Sequence, residues 1–133
     1  PELIYKITAD DEVSVFAGGA PLNVPNGVAI DTDGNVVVVN IDDNAVISYN
    51  LDGEVVNTEY AAEGGNDGVV ILPDGTKYVS SVRFGSVSEI KPGEGATIIA
   101  SGIPSAASMC YDSVQNQLVI PMNPNYSLAF IPL

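Results

Sequence analysis

Three stretches of this 133-residue chain repeat at a spacing of about forty residues, and that spacing restricts the fold more than any other feature. NGVAIDTDGNVVVVN begins at Asn26, DGVVILPDGTKYVSS at Asp67 and ASMCYDSVQNQLVIP at Ala107, so successive units start 41 and 40 residues apart. In each, a short apolar run meets a turn and continues into a second β-rich run. Asp-Gly and Pro-Asp-Gly are turn sequences for a physical reason: glycine takes the positive φ, and proline presets the residue before it. A polar loop then leads to a third run (AVISY, SVSEI, SLAFI). In the first two units, LDGE and KPGEG turn into a fourth, EVVNTEY and ATIIASG. β-branched runs and turns recurring every eight to twelve residues leave no room for a helix.

A unit of four short strands recurring at about forty residues is the signature of a β-propeller blade; a sandwich predicts no such period. The expected fold is therefore all-β, built of four-stranded antiparallel blades and amounting to about half of a six-bladed ring. With strands named A to D from the channel outward, residues 1–20 read as strands C and D of one blade. Residues 26–60 and 67–102 read as full blades, and 106–133 as strands A to C of a last one. That makes about 13 strands against roughly 24 in a six-bladed ring. Because the first residue is Pro1, the expectation is a processed chain or a piece of a longer one. Three blades do not close, so a second copy or a complementary chain is expected to complete the ring and cover its apolar faces. Val28, Ile30, Val37, Val39, Val46, Val69, Ile71, Val79, Val87, Ile98, Met109, Val119, Ile120 and Phe130 are the expected core. The strand tyrosines Tyr49, Tyr60, Tyr78 and Tyr111 are expected to pack beside them.

Charge excludes several functions. Seventeen acidic residues stand against four basic ones, Lys6, Lys77, Arg83 and Lys91, for a net charge of −13. Nucleic-acid binding needs several phosphates neutralised together, and an anionic membrane surface would repel the chain, so neither is a partner. No apolar run approaches the length of a membrane span. Without any histidine there is no Ser-His-Asp triad and no histidine-bound zinc. A single cysteine, Cys110, allows no internal disulfide and sets no redox compartment; the periplasm or the cell exterior is the expected location.

PNGVAID at residues 25–31 and NDGVVIL at 66–72 resemble the inner-strand openings of gluconolactonase/regucalcin-like propellers and their NHL-type relatives. So do YVSSVRFGSVSEI at 78–90 and the closing CYDSVQNQLVIPMNPNYSLAFIPL. The resemblance covers nearly the whole chain as the C-terminal half of such a protein. It implies a six-bladed ring holding calcium or another divalent cation in its channel, with Asn26 and Asp67 as ligands. It also implies that Asp67 is the general base of a lactone or ester hydrolase. The family's Glu ligand lies near the start of the ring, outside this chain. The last inner strand opens on Ala106-Ala107-Ser108, where relatives often carry an acid. A non-catalytic module that binds ligands or assembles through its open edges is the alternative.

Blade geometry points to the same face. Loops before strand A and between B and C emerge together, which gathers Asn26, Asp67, Asn40, Asp42, Asp43, Arg83, Phe84, Asn123, Asn125 and Tyr126. Asn26 and Asp67, on innermost strands, should flank the channel mouth as hard oxygen donors or, equally, serve as strand caps. Arg83, with Phe84, Asn40, Asn123 and Tyr126, is the candidate surface for a small-molecule ligand. Arg83 could instead pair with Asp42 or Asp43 of the neighbouring blade.

Overall fold

The computed structural model describes residues 2–133, which form thirteen strands in four antiparallel sheets. β1 (Leu3–Ile7) and β2 (Val13–Gly18) make a two-stranded sheet. β3 (Pro25–Ile30), β4 (Val36–Asn40), β5 (Ala45–Tyr49) and β6 (Val55–Tyr60) make the first complete blade. β7 (Asn66–Ile71), β8 (Lys77–Ser81), β9 (Ser86–Ile90) and β10 (Thr97–Ala100) make the second. β11 (Cys110–Asp112), β12 (Gln117–Met122) and β13 (Ser127–Pro132) form the last sheet, with a 3-10 turn at Asn123–Asn125. Strands pair in sequence order within every sheet, as the up-and-down blade requires.

Local chemistry sets the turns. The Asp31 carboxylate accepts hydrogen bonds from the N–H groups of Asp33 and Asn35 at 2.9 and 2.8 Å, and Gly34 closes the turn at φ +85°. Burial pulls the Asp31 carboxyl upward, but the hydrogen bonds from the Asn35 side chain and from these backbone groups outweigh it and hold it below its ordinary value. In the next blade Leu72 stands where Asp31 does; there Asp74, one residue before Gly75 at φ +86°, accepts a hydrogen bond from Thr76 N at 2.9 Å. The last hairpin has no glycine there; Asp112 still caps the turn, and Asn116 takes the left-handed conformation at φ +50°.

Apolar clusters lie between sheets rather than within them. Ala17 joins Val38, Ile47 and Tyr49 between the two-stranded sheet and the first complete blade. Val37, Val39 and Val46 meet Val69, Val79 and Ile90 between the two complete blades. Tyr78 and Val87 meet Leu118 and Ile120 before the last sheet. Alternate residues of one strand thus serve opposite interfaces, Val38 facing back and Val37 and Val39 facing forward, so β4 is buried on both faces.

Four expected core residues are on the surface of this chain. Val28 and Ile30 are each 60% exposed, Ile98 48% and Phe130 55%. Val28 and Ile30 project from the inner strand β3 toward the side where β1 and β2 have no inner strands to cover them. Phe130 lies on the corresponding open side of the last sheet, and Ile98 on an outermost strand. Tyr60 is likewise exposed, on outer strand β6.

Candidate channel-mouth site

The inner strands bring the site residues together. β3 and β7 carry the same irregularity at the same place, a register shift between Pro25 and Val28 and between Asn66 and Val69. The bulge falls on PNG and NDG, re-aiming the residue before each glycine. A Cβ at Gly27 would lie 2.9 Å from Val39 Cγ2 and 3.1 Å from the Asp67 carbonyl carbon, with the carbonyl oxygen nearer still. One at Gly68 would lie 2.9 Å from both Met109 N and Ser108 Cα. Glycine is therefore required at both positions because neighbouring inner strands touch there. Asn26, Asp67 and Ser108 consequently stand in a row across three successive blades.

Within that row Ser108 Oγ donates to Asp67 Oδ1 at 2.9 Å. Asn26 is exposed and Asp67 half-buried. Behind the row, Ser80 Oγ accepts from Gly68 N at 2.9 Å and donates to the Ala107 carbonyl at 2.7 Å, locking the second blade to the last sheet. In the sequence Ser108 stands where an acid is expected, and nothing adjacent to it marks it as a partner of Asp67. The signal was its place in the repeat, one blade on from Asp67.

The other candidate residues scatter. Arg83 Nη2 donates to Asp42 of the preceding blade. Its stem lies over Gly65, where a Cβ would be 2.7 Å from Arg83 Cβ and Cγ. The arginine thus bridges blades, the pairing expected as its alternative role. Phe84 beside it is 60% exposed and Tyr126 98% exposed, and Asn123 and Asn125 sit in the exposed turn of the last sheet. Asn40 is fully buried: its amide donates to the Pro21 carbonyl and to Asp43 Oδ1, each at 3.1 Å, so it holds a neighbouring loop and has no surface to offer a ligand. Asp43 gathers that loop further, accepting from Asn23 Nδ2 at 3.0 Å and Ala45 N at 2.9 Å.

Asn66, not singled out from sequence, is 1% exposed, and neither polar atom of its side chain has a hydrogen-bond partner. It occupies the position that Pro25 holds one repeat earlier, a departure visible in the sequence.

A divalent cation can be tested against these donors. Amide, carboxylate and hydroxyl oxygens are the right kind for calcium, which takes six to eight of them. Among the described residues, however, no three His, Cys, Asp or Glu side chains are grouped so as to hold a metal ion. The kind of donor fits and the number does not; a full cage needs oxygens from elsewhere in a ring.

No protein-family model and no curated protein matches this chain in sequence. Solved structures do match. A gluconolactonase from Xanthomonas campestris superposes with a TM-score of 0.74 at 21% identity, over 98% of this chain and 44% of its own. Virginiamycin B lyase from Staphylococcus aureus gives 0.71 at 11% identity, over 99% and 49%. A streptogramin B lyase gives 0.68 at 13%, over 99% and 48%. The chain spans just under half the length of each. Its blades, their inner-strand contacts and these likenesses together make it a section of a β-propeller, with gluconolactonase among its structural relatives.

Proposed function

We propose that this chain is the channel-lining section of a lactonase-like propeller, with Asp67 as the general base for hydrolysis of a lactone or related ester. The observation that carries the reading is the row Asn26, Asp67, Ser108 on touching inner strands, in which a hydroxyl fixes one carboxylate oxygen and leaves the other free. Asp67 would take a proton from water as the water oxygen adds to the lactone carbonyl carbon. When the ring C–O bond breaks, that proton passes to the departing alkoxide, and the product is a hydroxy acid. Ser108 acts by orienting the carboxylate. A divalent cation, held by Asn26 and Asp67 together with oxygens from the rest of the ring, would polarise the carbonyl.

The test is hydrolysis of glucono-δ-lactone by the ring-completed protein, followed with a pH indicator, with and without calcium. Asp67→Asn should reduce the rate at least a hundredfold and Ser108→Ala several-fold. A full rate in Asp67→Asn would remove the base from the reading. The second reading, a binding module without catalysis, is favoured by the shortage of carboxylates at the mouth. It predicts calcium binding by calorimetry that Asp67→Asn weakens, with no turnover in any variant.

A further inference from the structure

A second concave site lies on the face opposite the channel mouth. A cavity of about 490 Å³ separates the two complete blades there, and all of its lining comes from them. The turns after β3 and β7 contribute Asp33 and Asp74, β5 and β6 contribute Ser48 and Asn57, and β8 contributes Lys77. Its size falls within the roughly 300–1,000 Å³ of small-molecule sites.

Strand register aims these groups inward. Val37, Ser48 and Asn57 are cross-strand partners in one row, and Val37 packs forward against the second blade, so Ser48 and Asn57 face that blade too. Lys77 faces back toward them, because it pairs with Ile90, which packs in the same cluster as Val37. Ser48 is only 3% exposed, and no group among the described residues hydrogen-bonds its hydroxyl. A buried hydroxyl without a partner costs free energy unless a ligand or water completes it. Lys77 Nζ lies 2.8 Å from Glu59 Oε2, off the line of a hydrogen bond, which leaves the ammonium N–H groups available.

The repeat shows that the space is particular to this junction. One blade on, Tyr78 and Glu89 take the places of Val37 and Ser48 with the same pairing, and the phenol donates to Glu89 Oε2 at 3.0 Å. There a hydroxyl bonded to a carboxylate comes from the chain itself. Val37 and Ser48 are too short to supply it, and the cavity is left for a molecule that brings its own hydroxyls.

We infer that this inter-blade cavity binds an uncharged, hydroxyl-rich small molecule, a monosaccharide or polyol. Each hydroxyl of such a ligand both donates and accepts; Asp33 and Asp74 accept, Lys77 donates, and Ser48 and Asn57 do both. A metal ion is not the occupant, because among the described residues no three His, Cys, Asp or Glu side chains are grouped to hold one. An anion would meet Asp31, Asp33 and Asp74 around the cavity. An apolar molecule would strip water from these groups without replacing its hydrogen bonds. The site is separate from the channel mouth and needs nothing from the rest of the ring.

The experiment is saturation-transfer NMR and calorimetry on the ring-completed protein, with xylitol, glucose, gluconate and putrescine as probes, in the parent and in Asp67→Asn. Because Asp67→Asn removes the carboxylate of the mouth, binding that persists in it reports the cavity. Xylitol or glucose should bind with millimolar affinity in both proteins, and gluconate about tenfold more weakly. Ser48→Ala and Asn57→Ala should each weaken binding about threefold to tenfold. Val37→Tyr combined with Ser48→Glu, which installs the filled arrangement of the next blade, should abolish it. No binding of xylitol or glucose, binding that the two alanine variants leave unchanged, binding lost in Asp67→Asn, or tighter binding of putrescine would overturn the inference. None of these results decides the lactonase reading, whose assay follows turnover at Asp67.

Discussion

Replacing Gly27 by alanine tests the contact on which the channel mouth depends. The added methyl would sit 2.9 Å from Val39 Cγ2 and 3.1 Å from the Asp67 carbonyl carbon, whereas carbon atoms prefer about 3.5–4.0 Å. Both neighbours are held. Val39 is fully buried, and Asp67 belongs to the backbone of β7. β3 must therefore draw back from β7 by something on the order of 1 Å. Overpacking of this kind costs about 1–3 kcal/mol. An unfolding entropy of about 2.1 cal/mol/K per residue makes a 2 kcal/mol loss equal to a fall in Tm of about 7 °C for a chain of this size. Gly34→Ala is the control: its φ of +85° makes alanine strained, yet nothing lies within 4 Å of the new methyl. That variant should lose about 1 kcal/mol through backbone strain alone and leave Asp67 in place. Urea unfolding of the two variants and the parent, at one protein concentration, separates the effects. Gly27→Ala within about 0.5 kcal/mol of the parent would show that β3 and β7 do not run against each other, and the row of site residues would fall with that contact.

Two further outcomes follow from buried polar groups. Asn66→Leu should stabilise the chain by about 1–2 kcal/mol in the same urea assay, because the amide is buried with neither polar atom bonded; a loss of stability would mean that the amide has a partner such as bound water. Burial first, and then the Glu89 carboxylate that accepts its O–H at 3.0 Å, push the Tyr78 phenol up to about 12. An unfolded tyrosine ionises near 10, so the stability from this group is complete below pH 10 and is lost as pH rises through 12. Melting temperatures from pH 9 to 12 should fall less steeply for Tyr78→Phe than for the parent, and identical slopes would refute the assignment.

Much of the fold was legible because a blade is a local object. Its turns are specified by Asp31 with Gly34 and by Asp74 with Gly75, and its strands pair with their neighbours in sequence, so a period of about forty residues suffices to identify it. The third repeat shows the same locality with different residues, since Asn116 does what glycine does in the others. Local pattern also placed Asn26 and Asp67 at the starts of inner strands.

What tertiary structure alone decided is which faces meet. Val28 and Val69 hold the same place in the repeat, yet one is 60% exposed and the other 8%; the difference is the presence of a preceding inner strand, which no residue near Val28 encodes. Asn40 reads as a loop-face ligand but is consumed by Pro21 and Asp43, because the loop it holds comes from the blade before it. Ser108 gains its role across 41 residues from Asp67, and Arg83 gains its partner Asp42 across the same distance. Hydrogen bonding along a strand is written in neighbouring residues. Contact between blades depends on side chains a full repeat apart, and it is those contacts that turn separate strand openings into a row.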